Sequence, residues 1–130
     1  MKKNGTANAK VEFLANFLKK GEAYAGILLG KNGDPDQHII LLPGQANDVT
    51  FQQAQEFAAK AGGELPTRSE QSLLFANLKE EFEERWYWSG ELHSDTRFAW
   101  NQSFSGGLQF LSHDTYDTCR ARAVRRIVIE

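Results

Sequence analysis

The chain has 130 residues, 41% of them hydrophobic and 25% charged, a balance that excludes disorder and leaves room for one core. Its single cysteine, Cys119, excludes an intramolecular disulfide and any zinc site that needs two or more thiolates. A net charge of −2 removes the usual electrostatic case for nucleic acid or an anionic membrane as the main partner.

Met1-Lys2-Lys3 is followed by Asn4-Gly5-Thr6-Ala7-Asn8, polar or small residues where a signal peptide has an apolar run. No stretch approaches the roughly 20 apolar residues of a membrane span. A cytoplasmic or virion-associated protein without membrane insertion is expected. Residues 1–8 read as a tail. Val11, Leu14 and Leu18 recur at helical spacing from Ala9 to Lys20, with Asn8 as the N-cap and Gly21 as the stop. Phe13 and Phe17 lie off that stripe and extend the buried face or offer a second apolar surface to a neighbouring subunit. Residues 1–21 are therefore set apart from a domain at 22–130.

Ala23–Leu29 and His38–Leu42 read as strands, and the turn-rich Lys31-Asn32-Gly33-Asp34-Pro35-Asp36 between them makes a hairpin. Thr50 and Gln53 have the spacing of a capping box. Phe51, Ala54, Phe57, Ala58 and Ala61 then form one helical stripe, which Gly62-Gly63 closes. Thr67 and Glu70 repeat the box, and Leu73, Leu74 and Leu78 give a second helix its buried face. Trp86–Ser89, Arg97–Phe104 and Leu108–Leu111 read as short strands, and Ala121–Ile129 as a last β-rich run. A hairpin, two helices and then several antiparallel strands predict an α+β fold.

All three tryptophans lie between Trp86 and Trp100, and nine of the 15 aromatics lie between Phe82 and Tyr116. Successive strand residues face opposite ways, so Tyr87 opposes Trp86 and Trp88, and one side should leave the core to form a stacking surface. The ordinary alternative for each ring is core packing. Residues 91–97 and 112–117 are polar and ring-bearing. His93 with Asp95, or His113 with Asp114, would make half a metal site, and without a third ligand they read as solvated loop residues. Arg120, Arg122, Arg125 and Arg126 either hold an anionic ligand such as a sulfated glycan or, preferably, pair internally with Glu80, Glu81, Glu83 or Glu84. Cys119 has no flanking signal of an activated nucleophile, and a lone thiol is more often buried and inert.

Four blocks in order, Gly62-Gly63-Glu64-Leu65-Pro66-Thr67-Arg68-Ser69-Glu70, Trp86-Tyr87-Trp88-Ser89, Phe98-Ala99-Trp100-Asn101-Gln102 and Arg122-Ala123-Val124-Arg125-Arg126, carry a resemblance. Over residues 22–129 the chain resembles the bacterial and phage C-type-lectin-like domains typified by the C-terminal domain of the Legionella collagen-like adhesin. It is more loosely similar to the variable proteins of diversity-generating retroelements. The resemblance implies paired N- and C-terminal strands, two flanking helices and a second small antiparallel sheet that carries the ligand. It implies a non-enzymatic module for a glycan or cell-surface protein, without cofactor or metal, working as a homo-oligomer and in some relatives as a trimer. Its ligand face would comprise Trp88, Glu91, His93, Asp95, Arg97, Trp100, Gln102, His113, Asp114 and Tyr116. A structural or assembly subunit that uses its aromatics for oligomerisation is the alternative. Calcium-dependent sugar binding of the animal-lectin type is not expected: Pro35, Pro43 and Pro66 are all outside the loop that would need a proline, and Gln102 stands where a carboxylate would be required.

Overall fold

The computed structural model describes Glu12 and residues 14–130, with the backbone alone at 111–113. Asn8, Val11 and Phe13 of the expected first helix lie outside the described residues, while residues 14–17 are helical. Two sheets and two capped helices follow, an α+β architecture.

Strands β1 (Ala23–Leu28) and β2 (Gln37–Leu41) form the expected antiparallel hairpin. At its tip Asn32 and Gly33 both take positive φ, and Asp36 accepts a hydrogen bond from the Gly30 N–H, as a turn-rich sequence allows. The next elements are β3 (Ala46–Val49), α1 (Phe51–Lys60) and α2 (Arg68–Leu78), which runs into a short 3-10 turn at Lys79–Glu81. Both capping boxes form in full: Thr50 accepts from the Gln53 N–H and Gln53 from the Thr50 N–H, and Thr67 and Glu70 do the same. β4 (Trp86–Leu92), β5 (Phe98–Ser103), β6 (Gln109–Asp114), β7 (Cys119–Ala121) and β8 (Val124–Val128) complete the chain.

The first sheet has the order β1-β2-β8 and the second β3-β7-β4-β5-β6. This corrects the expected pairing of the N- and C-terminal strands: β2 lies between β1 and β8. The reason is burial. Ile39, Ile40 and Leu41 are all inaccessible, as a central strand requires, whereas β1 carries a register shift at Gly26 and exposes Ile27. The run 121–129 is likewise not one strand. It breaks at Arg122-Ala123, leaving β7 in the second sheet and β8 in the first. β3, which has no apolar run to announce it, was not expected; Ala46 and Val49 pair with Ala121 and Cys119.

The second sheet is covered on both faces. Helix α1 packs Phe51, Ala54 and Ala58 against Trp88, Ala99, Cys119 and Ala121. On the other face α2 and the first sheet supply Leu74, Leu78, Ile39 and Val124 against Tyr87 and Phe104. Tyr87 therefore opposes Trp88 as strand alternation demands, yet both are buried. A core on each face removes the need for either to face solvent, and the expected stacking surface on β4 is corrected accordingly.

Candidate functional site

Two of the expected ligand-face residues are structural. Trp88 is 0% exposed, donates Nε1–H to the Val49 carbonyl at 2.8 Å and meets the Phe51 ring edge-on. Gln102, 1% exposed, donates to the Gln71 carbonyl at 3.2 Å and accepts from Gln109 at 2.8 Å, fixing α2 to the sheet. Both lie where burial against the helices is most complete, so neither can touch a partner without unfolding.

Trp100 is half-buried beneath Arg68, whose guanidinium carbon lies 3.4 Å from the ring centroid, a cation–π stack that occupies the face a ligand would use. Gln109 ties this stack down, accepting from Arg68 Nε at 3.2 Å and donating to the Arg68 carbonyl at 2.7 Å. Glu91 accepts the Arg68 backbone N–H at 2.7 Å, a carboxylate at the positive end of α2. These residues form a side-chain joint between α2 and β4–β6 rather than an open site.

The remaining expected residues do come together. The Thr115 N–H donates to the Arg97 carbonyl at 2.8 Å, and Phe98 pairs with Asp114, so the loop after β4 and the turn after β6 lie side by side. Asp95 takes Arg97 in a fork, Nε at 3.2 Å and Nη2 at 2.8 Å, and Arg97 holds the carboxyl down at about 2. His93 Nδ1 accepts the Asp95 N–H at 3.0 Å. Asp114 accepts the Tyr116 N–H at 2.8 Å and so props up a turn on which Tyr116 stands 86% exposed. The His113 backbone pairs with Ala99; its side chain lies outside the described residues.

The Phe51 N–H, at the start of α1, donates to the Thr115 carbonyl at 3.1 Å. The helix start and the two loops thereby enclose a groove of about 320 Å³. Thr50, Gln52 and Gln55 form one wall, and Leu92, Thr96, Thr115 and Tyr116 the other. The sequence reading missed the helix side of this groove. The available signal was the i, i+3 spacing of Gln52 and Gln55 on the polar face of a capped helix, but nothing local says that this helix start meets residue 115.

The arginine cluster is internally engaged. Arg120 pairs with Glu83 at 3.1 Å, Arg125 with Glu22 at 2.8 Å, and Arg126 with Glu64 and the fully buried Glu70. Arg122 donates to the Glu81 and Leu42 carbonyls, and burial lowers its pKa. Only Glu83 among the four expected glutamates contributes a carboxylate to these pairs, because Glu22, Glu64 and Glu70 approach through tertiary packing. Burial pushes the Cys119 thiol up to about 12, which holds it in the un-ionised form and argues against a nucleophile there. Among the described residues, no three His, Cys, Asp or Glu side chains group as metal ligands, and no helix is long and apolar enough to cross a membrane. Neither a scan against protein-family models nor a search of curated proteins finds a match to the chain.

Proposed function

We propose that the chain is a non-enzymatic binding module of C-type-lectin-like fold that recognises a glycan or a cell-surface protein. The observation that carries this reading is the convergence of the two polar loops, with His93, Asp95, Arg97, Asp114 and Tyr116, beside a groove at the start of α1. The fold half of the proposal draws on the element order and on the sheet that joins the first hairpin to the last strand. It draws also on the meeting of two of the resembling blocks, where Arg126 grips Glu70 at the start of α2. The setting, a phage or prophage receptor-binding or accessory virion protein, follows from the resemblance alone, as does a homo-oligomer, including a trimer, in which weak single sites gain by avidity.

The test is a glycan and host-cell-surface binding screen with the intact chain and with Arg97→Ala. Arg97 is exposed, and among the described residues its charged partner at bonding distance is Asp95, so the fold should survive the change. Binding that weakens about tenfold or more in the variant supports the loop surface. Binding that the variant retains in full places the ligand elsewhere.

A second reading, a structural or assembly subunit, is favoured by a different patch. Leu108, just before β6, and Phe110, on it, are 56% and 43% exposed at an edge strand of the second sheet, and Phe110 meets Trp86 edge-on. An apolar edge of this kind invites association. Light scattering on Phe110→Asp decides it: a fall in mass supports assembly through β6, and an unchanged mass removes it.

A further inference from the structure

We infer that the groove between the start of α1 and the two loops takes an uncharged sugar ring; this rests on the binding-module reading and names its ligand class. The side chains that line the groove carry no formal charge. Gln52 and Gln55 offer two amides from one exposed helix face, and Thr96 and Thr115 offer hydroxyls from the facing loops. An amide presents donor and acceptor side by side, and a hydroxyl serves as either, which is the inventory that adjacent sugar hydroxyls require. Tyr116, 86% exposed, provides a flat ring for the C–H face of a pyranose, and Leu92 adds apolar area. A groove of about 320 Å³ stands at the small end of ligand sites, which run from about 300 to 1,000 Å³, and so suits one or two rings.

The charges around the groove favour a neutral ligand. Asp95 and Arg97 neutralise each other through their fork. The four clustered arginines are committed to Glu83, Glu22, Glu64, Glu70 and backbone carbonyls, so none of the four stands ready as the bidentate partner that a sulfate or carboxylate would need. At the start of α1 the Phe51 and Gln53 N–H groups are already satisfied by Thr115 and Thr50, so the amides of Gln52 and Gln55, rather than the helix backbone, set the selectivity.

The experiment is saturation-transfer NMR with the full chain. The probes are methyl α-mannoside, methyl α-glucoside, methyl β-galactoside and N-acetylglucosamine, set against sialyllactose and a heparin tetrasaccharide. The expected result is contact with at least one neutral probe, weakened about tenfold or more in Tyr116→Ala and in Gln55→Ala, and no stronger signal from the anionic pair. Both variants lie at exposed positions, and alanine favours the helix at position 55. Neutral binding that both variants retain overturns the groove and leaves the glycan reading standing. Preference for the anionic probes overturns the neutral assignment. Silence from every neutral probe, with host-cell binding intact, overturns this inference alone; silence from the probes and from cells overturns the module reading as well.

Discussion

Cys119 illustrates how burial decides the chemistry of a single residue. Its thiol packs with Ala121, Trp88 and Phe51, and Asn101 approaches it at 3.9 Å. Desolvation, with a smaller contribution from Asp117, raises its pKa from 9.0 to about 12. The sign of the linkage follows: the folded value lies above the unfolded one, so the stabilisation is complete below pH 9 and is lost as pH rises toward about 12. Burial raises Tyr24 and Tyr87 as well, adding to the decline in alkali. Urea titrations between pH 8 and 11 should show falling stability, with a shallower fall in Cys119→Ala. A slope unchanged by that substitution would show that the tyrosines alone carry it. The buried thiol was legible in the sequence, since a lone cysteine with no helix start before it and no orienting third group is more often buried and inert. The fates of Trp88 and Gln102 were not, because strand alternation gives relative direction and does not tell whether a second layer waits on the far side.

At the scale of elements, the two capping boxes were readable because their partners lie three residues apart, whereas β3 was not, because its four residues are held by β7 from some 70 positions away. Helix α2 adds a tertiary tie to its local cap. Glu70 closes the box on the Thr67 N–H and, with the same carboxylate, takes Arg126 of β8. The two roles differ in weight. Thr67→Ala should lower stability by about 1 kcal/mol, the usual loss for an N-cap. Glu70→Ala strands Arg126 with only the exposed Glu64 as counter-charge and should lower it by about 3–5 kcal/mol. Glu70→Leu with Arg126→Met should cost less than the sum of the single changes, since the second substitution removes the charge that the first leaves unpaired. Strict additivity in chemical denaturation would deny the pair its coupling. The charge pattern pairs the arginine block with the acidic run Glu80, Glu81, Glu83 and Glu84, yet of these only Glu83 contributes a carboxylate, to Arg120, because tertiary packing brings Glu22, Glu64 and Glu70 to Arg125 and Arg126.

Across the whole molecule, long-range ties hold the described part of the N-terminal region. Arg125 of β8 donates to both Glu22 carboxylate oxygens and to the Phe17 carbonyl, so one side chain bridges residues more than 100 positions apart. Arg125→Ala should speed amide exchange across residues 14–22 at least severalfold while β2 keeps its protection, as local opening requires. Equal acceleration in both regions would instead report global loosening. The α+β class was legible from the order of helical and alternating runs. The strand order was not, since neither sheet keeps its sequence neighbours together throughout.

The break at Arg122-Ala123 has a consequence for how the protein is made. Residues 119–121 lie between β3 and β4 and join them into one sheet, and residues 124–128 complete the sheet begun by the first hairpin. During synthesis, therefore, a ribosome that has released the hairpin, both helices and β4 through β6 has still released neither finished sheet. Both arrive with the same ten residues, 119–128, and loop closure over such separations is slow. Until then β2 and β4 each wait with one edge unpaired, and the nascent chain is exposed to association at the apolar strands that the finished protein hides most completely.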